Sequence, residues 1–359
     1  WWSTRNLGAL DREQLTALLE GLDGAVLWLF VPFLLGLVLE TWGWQQAIGE
    51  CAPRPRFGPL WSVRFTTEAI GQTLPGGALL GESLKPALLA RLAGMPLGLG
   101  VAATLHRKYL RLLAHGLYVG AAAALGAAAL LAQPGGALWL GALVAMSLVL
   151  WALALGSAAF FRRGRLAVRL FAWARRLPWA VGRAFARKHR GRFLQVDGAT
   201  REFFRLDASR TAWPVLLCGA AWLSEAVESW LVLRLLGVEV PFGLIIAGDV
   251  VVQLMRQLAV FVPAGLGVQD AGYLALLSFS GVPDAVTIGV AFVLLKRLRE
   301  LTTSVLGLGW GAAATALDAE STKRSTKERS PGARCAEAPF WLPWGSWARI
   351  REPGGRGPR

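Results

Sequence analysis

Charge is scarce in this chain. Asp, Glu, Lys and Arg make up 17% of its 359 residues, against about 25% in an ordinary soluble domain. With 54% hydrophobic residues and a mean hydropathy of +0.45, a water-soluble fold has nowhere to hide the apolar surface. Cysteine is scarcer still. Cys51, Cys218 and Cys335 stand far apart with no CxxC, which excludes a disulfide framework and a cysteine zinc site. His106, His115 and His189 share no metal-ligand spacing, so no metal is expected. There is no GxxxxGK[ST] loop, so no bound nucleotide is expected to drive the protein. No cofactor is expected, and no nucleophile-and-base set stands out.

What the chain does have is long apolar runs, and a bilayer span needs about 20 mostly apolar residues. It also has 17 Trp, a residue that favours the membrane interface, where its ring is apolar and its N–H stays wet. The net charge of +15 collects beside hydrophobic segments, so it reads as a topology signal rather than a nucleic-acid footprint. Residues 162–210 hold 14 Lys and Arg against 3 Asp and Glu. With Trp173, Leu177 and Trp179 among the arginines, the loop 162–211 reads as cytoplasmic, with an amphipathic helix on anionic lipid. Residues 318–359 carry a net +4 and read as a disordered, basic, cytoplasmic tail, with Trp341, Trp344 and Trp347 placed to touch a membrane surface. The chain starts at Trp1 rather than Met, which reads as a fragment or a chain cleaved of a signal peptide.

Between these lie two hydrophobic halves, 21–161 and 212–317, after an amphipathic N-terminal segment, 1–20. The first half has spans at 22–48 (with Glu40 as an intruder), 97–132 and 136–160. The second span is interrupted by His106-Arg107-Lys108-Tyr109-Leu110-Arg111, and its Gly116 and Gly120 form a GxxxG suited to close packing in lipid. The second half has spans at 212–236, 241–262 and 285–317. Each half also has a break, at 74–77 and at 262–267, where Pro and Gly stop any helix.

The two breaks match at an offset of 188 residues. Pro75 pairs with Pro263, Gly77 with Gly265, Glu82 with Asp270, Lys108 with Lys296 and Arg111 with Arg299. Gly267 continues the second break. Before each break stands a helix with a polar face: Arg64, Glu68 and Gln72 in one, Asp249, Gln253 and Arg256 in the other. A break frees backbone groups that lipid cannot satisfy, so it survives at membrane depth only inside protein or beside a wet cavity. Paired breaks in two halves point to a transporter binding site. If each break is the tip of a re-entrant hairpin, the chain reverses an odd number of times between them, and the repeat is inverted; if the breaks are mere kinks, the repeat is parallel. The expected fold is therefore an all-α integral membrane protein, a multi-span helical bundle with two broken, re-entrant segments.

The segments LPGGALLGESLKPALLARLAG (74–94), VPAGLGVQDAGYLALLSFSGVP (262–283) and LLKRLRELTTSVLGL (294–308) resemble the transmembrane module of lysylphosphatidylglycerol synthases. That module also occurs alone, as flippase-like membrane proteins, some of them linked to hopanoid lipids. The resemblance covers roughly residues 20–317 and implies a protein of a bacterial inner membrane that moves phospholipid between leaflets. The full synthase adds an acetyltransferase-like domain, and the polar tail here is too short to form it, so synthase activity is not carried over. Asp270 stands where Glu is common in the family, and the N-terminal segment reads as cut.

A charge at mid-bilayer costs about 2.5–3.5 kcal/mol, so charges within the segments are candidate site residues. Lys108, Arg111, Lys296 and Arg299, with Glu68 and Arg256, are expected to line a polar groove for an anionic headgroup, since Arg binds phosphate with two parallel hydrogen bonds. Glu82 and Asp270 are expected in the first turns of the half-helices, where an acid favours the dipole. A local Lys296–Glu300 pair is the simpler account of part of that cluster. Arg64, Asp249 and Glu225 are expected at helix ends, snorkelling to water. The functions that fit are a lipid flippase, a lipid-modifying membrane enzyme, or a scaffold that binds lipid-biosynthesis enzymes. The partners are a membrane phospholipid or other lipid, and no nucleic acid.

Overall fold

The computed structural model describes residues 12–163, 169, 172, 190–205, 207–258, 262 and 265–328. Eleven α-helices and no strand are found among them: α1 (Arg12–Glu20), α2 (Phe30–Gly49, entered through a 3-10 stretch Asp23–Leu29), α3 (Phe57–Thr73), α4 (Gly77–Leu92), α5 (Leu97–Leu131), α6 (Gly136–Arg162), α7 (Arg190–Phe203), α8 (Ala208–Leu235), α9 (Phe242–Leu258), α10 (Val268–Phe279) and α11 (Ala285–Glu328). The all-α membrane bundle expected from the sequence is the fold found. Residues 1–315 form one compact unit and 316–359 a second, whose described part is the end of α11. That helix runs to Glu328, past the end expected at Leu317. The Trp-bearing parts of the basic loop and of the tail lie outside the described residues.

Four stretches, Gly24–Gly49, Leu97–Leu131, Gly136–Arg162 and Ser209–Leu235, are long and apolar enough to cross a bilayer. Their outer faces carry exposed leucines and valines: Leu27, Val31 and Leu35 on the first, Leu138, Leu148 and Leu153 on the third. Charges such as Glu40 and Arg107 are buried instead. That inside-out distribution suits hydrocarbon around the protein and fails in water. The charged run in α5 does not interrupt it, because Arg and Lys are good helix formers and their charges meet acids on neighbouring helices. Gly116 and Gly120 let α6 approach α5: a Cβ on Gly116 would lie 3.0 Å from the Trp151 ring, and Ser147 Oγ donates to the Gly116 carbonyl at 2.9 Å.

Each break folds the chain back on itself. Gly76 turns through φ 65°, so α4 returns antiparallel along α3, and a Cβ on Gly81 would stand 2.5 Å from the Thr67 carbonyl oxygen. In the second half Gly265 and Gly267 take φ of 62° and 78°, and α10 returns along α9 with Gly272 against Val252. Pro263 lies outside the described residues. The tips meet the middle of α11: Ser304 Oγ donates to Gln72 Oε1 at 3.1 Å and Gln269 lies 3.5 Å from Glu300.

The halves are inverted copies. α2 and α8 are equivalent at the 188-residue offset, and they lie side by side and antiparallel: Gly36 faces Ser224 while Gly43 faces Pro214 and Leu217. Gly36 and Ser224 are themselves equivalent positions, so the pseudo-two-fold axis passes between them, the self-complementary contact expected of such an axis. The exchange is reciprocal elsewhere. The first hairpin packs on the second long helix (Ala69 against Gly307), and the second hairpin on the first long helix (Gly243 against Gly126).

The close approach of α3 and α4 gives a stability prediction. Gly81→Val is expected to cost about 1–3 kcal/mol through overpacking against fixed backbone, read as a lowered unfolding temperature in detergent. Gly141→Ala, at a helical glycine with nothing within 4 Å of its Cβ, is expected to be neutral or stabilising.

Candidate functional site

The buried charges gather in two sets, one per half. Glu40 of α2 is the centre of the first. It accepts from Arg64 NH2 at 2.5 Å, Arg107 NH1 at 3.3 Å and Arg111 Nε at 2.9 Å. Arg64 also binds Glu68, one turn along α3. Glu82 of α4 takes Lys85 at 2.5 Å, Arg107 at 2.8 Å and Lys108 at 3.6 Å. Arg111 stacks over Trp222 of α8, 4.9 Å from the ring centroid.

The second set repeats the plan. Glu228 of α8, equivalent to Glu40, is 1% exposed and accepts from Arg299 Nε at 3.1 Å and NH2 at 3.0 Å, with Lys296 Nζ at 3.9 Å. The Arg111–Glu40 pair is thus made twice, as Arg299–Glu228. The copies then diverge. At the positions of Arg64 and Arg107 the second half has Val252 and Leu295, so two guanidinium groups that fill the first site are missing. A small polar cleft opens there, lined by Glu225, Glu228, Gln253, Arg256, Gln269, Tyr273, Lys296 and Arg299 beside Val252. Arg256 differs from the other cations lining it. Its opposite charges are Glu300, Glu225 and Glu68, yet among the described residues no side chain or carbonyl holds it in a hydrogen bond or ion pair. Two buried acceptors of the cleft, Glu228 Oε2 and Gln269 Oε1, are also unpartnered.

Of the residues singled out from sequence, Lys296, Arg299 and Arg256 come together in this cleft. Arg111 is on Glu40, and Glu68 is on Arg64. Lys108 leaves its side chain 56% exposed and pairs with Glu82 at 3.6 Å. Gly77 opens α4 and Gly265 and Gly267 form the second turn, as hinge residues should. Asp270 is a true cap: Gly267 N–H donates to its Oδ2 at 2.9 Å, and Arg297 holds its other oxygen at 2.6 Å. Glu82 is not a cap. It lies beyond the first turn of α4 and serves as an ion-pair centre. Glu300 pairs with Arg297 at 2.7 Å rather than with Lys296, whose side chain turns toward Ser229 and Tyr273. Arg64 and Asp249 do not snorkel; they are 5% and 0% exposed, because acids and hydroxyls on neighbouring helices satisfy them internally. Glu225 is half-buried and bound by Gln253.

Sequence reasoning noted Glu228 as a charge within a span but assigned neither it nor Glu40 to the groove. Glu40 read as an intruder in a span, yet it matches Glu228 at the same 188-residue offset as Lys108 and Arg111; extending the comparison one helix upstream finds it. Arg107, Arg297, Tyr118 and Tyr273 have no matching residue at that offset, so the repeat could not reveal them. Among the described residues no group of three or more His, Cys, Asp or Glu is placed to hold a metal ion.

Lipid-facing spans around two broken-helix hairpins, with the ionic groups turned inward, define a multi-span helical membrane protein. The chain belongs to the family described as the lysylphosphatidylglycerol synthase TM region, whose pattern matches residues 1–315. No curated protein and no solved structure matches it significantly.

Proposed function

We propose that the protein is a flippase-like transporter that carries the anionic headgroup of a lipid between leaflets through the cleft of the second half, while the acyl chains stay in the bilayer. The observation that carries this reading is Arg256, a guanidinium without a hydrogen-bonding partner in a polar cleft beside Lys296 and Arg299. Its guanidinium N–H groups are engaged by no described side chain, and its planar fork matches two phosphate oxygens. The inverted pair of hairpins supports the reading, because two similar packings related by the pseudo-two-fold axis are what alternating access requires.

The test is reconstitution into liposomes holding a trace of tail-labelled anionic phospholipid, with an impermeant quencher added outside. Transport is read as label that becomes accessible faster than in protein-free vesicles. Equal rates at several protein densities would overturn the proposal. A change in the labelled lipid's mass would favour a headgroup-modifying enzyme, and neither effect would favour a scaffold.

The proposed orientation places the loop 162–210 and the residues after 318 in the cytoplasm, by the positive-inside rule. In a background without the native cysteines, Gly191→Cys and Ser330→Cys are expected to resist an impermeant thiol reagent in intact cells and to react after lysis. Reaction of either site in intact cells would reverse the orientation.

A further inference from the structure

One buried acid plays no part in the two ion-pair sets. Asp249 of α9 is 0% exposed and forms no ion pair among the described residues. Three neutral groups donate to it instead, and the Ser229 hydroxyl, which is also 3.2 Å from the Glu225 carbonyl oxygen, lies within reach. Tyr118 Oη of α5 and Gln253 Nε2 reach Oδ2 at 2.9 and 3.2 Å. Tyr273 Oη of α10 and Ser229 Oγ of α8 reach Oδ1 at 3.2 and 3.4 Å. The last two hydroxyls share one donor: Lys296 Nζ of α11 lies 3.0 Å from Tyr273 Oη and 2.9 Å from Ser229 Oγ. The lysine therefore polarises both hydroxyls toward Asp249 without touching it, and the same lysine lines the cleft.

The internal repeat supplies a control. At the 188-residue offset Asp249 becomes Trp61, Gln253 becomes Phe65 and Tyr118 becomes Leu306. The inverted fold forms in the first half with apolar side chains at these places, so the network is not needed to build it. The titratable and charged groups around Asp249 are His115 and Tyr118 from α5, Glu225 and Glu228 from α8, Tyr273 from α10, Lys296 from α11, and Arg256 two turns along α9 itself. Lys296 is the one cation hydrogen-bonded into the network.

We propose that Asp249 takes up a proton when a lipid phosphate binds at Lys296, so that anion and proton occupy the protein together. The inference rests on the cleft being a headgroup site. A phosphate in the cleft draws the Lys296 ammonium off the Ser229 and Tyr273 hydroxyls. Asp249 then keeps a buried negative charge with its hydroxyl donors no longer polarised by the ammonium, which favours the neutral acid. A proton from water bonds to a carboxylate oxygen, the phosphodiester is unchanged chemically, and the loaded site gains no net charge. By linkage, acid must then tighten lipid binding as much as lipid raises proton affinity.

The experiment uses the whole chain in nanodiscs of zwitterionic lipid, titrated with short-chain phosphatidylglycerol, whose phosphodiester holds one fixed charge. Binding is read by calorimetry, and proton uptake by a dye in weak buffer. The expected result is about one proton taken up per lipid bound, with affinity rising by up to roughly tenfold per unit fall in pH. Asp249→Asn, which keeps the shape and one accepting oxygen but turns the other into an NH2 donor, is expected to lose both the uptake and the pH dependence. Lipid binding without proton uptake, or uptake that persists in Asp249→Asn, overturns this inference and leaves the transport reading standing. Absence of lipid binding defeats both. If Asp249→Asn does not fold, infrared difference spectra of the native protein decide: a protonated-carboxyl band must appear on adding lipid, and its absence overturns the inference.

Discussion

Arg256→Gln is expected to slow lipid movement by about ten- to a hundredfold, the loss of one charge-assisted interaction of roughly 1.5–3 kcal/mol, while the protein stays folded. The second half of that expectation follows from what Arg256 does not do. It holds no acid at ion-pair distance, so its removal strips no carboxylate of a hydrogen-bonded partner among the described residues. The unfolding free energy in detergent is expected to change by less than about 0.5 kcal/mol, as for substitutions away from buried networks. Arg256→Lys keeps the charge but loses the fork, and is expected to fall between the two. Arg299→Ala is a poorer probe. It strips Glu228, 1% exposed, of its hydrogen-bonded cation and removes the stacking on Phe33, whose ring centroid lies 4.5 Å from the guanidinium carbon. Loss of transport there is expected to come with loss of folded protein. Native-rate transport by Arg256→Gln in liposomes would show that the headgroup does not pass this arginine.

The architecture was legible because lipid imposes simple rules on sequence. Apolar runs of sufficient length mark the spans, and Pro and Gly mark the two turns with positive φ at Gly76, Gly265 and Gly267. The 188-residue offset carried the symmetry, and the antiparallel contact of Gly36 with Ser224 shows that the repeat is inverted. The site was legible only where it obeyed that repeat. Lys296 and Arg299 were found through their partners Lys108 and Arg111. Arg256 was found through its helical face, although its equivalent is Glu68, of opposite sign. What failed was the assignment of buried versus snorkelling charge. Burial of Arg64 is decided by Glu40 on another helix, and burial of Asp249 by Tyr118, which is 131 residues away in sequence. Neither partner is visible in the local pattern around the charge. The same limit explains Lys296, which pairs not one turn along its own helix but across to α8 and α10.

Glu40→Leu is expected to be the most damaging single change in the protein. Three arginines from α3 and α5 converge on this carboxylate, which is itself 6% exposed. After its removal Arg64 keeps Glu68 and Arg107 keeps Glu82, but Arg111 is left with only the Trp222 face. Removing one partner of a buried ionic set costs about 3–5 kcal/mol, because charge remains buried without compensation. That is at the upper end for any point substitution. Glu40→Gln retains an acceptor oxygen in the same place and is expected to cost less than Glu40→Leu. Glu228→Gln is expected to be milder than Glu40→Gln, since the second half gathers two cations where the first gathers three. The diagnostic variant is the double change Glu40→Gln with Arg111→Met, which removes one charge of each sign and keeps the arginine's packing volume. If the cost of Glu40→Gln comes from stranded charge, the double variant must be more stable than that single one, a coupling that residues in separate networks do not show. The comparison is read from unfolding free energies in detergent and from the yield of monodisperse protein. A double variant no more stable than Glu40→Gln would mean that Glu40 holds α2, α3 and α5 together by packing and hydrogen-bond geometry rather than by neutralising α5.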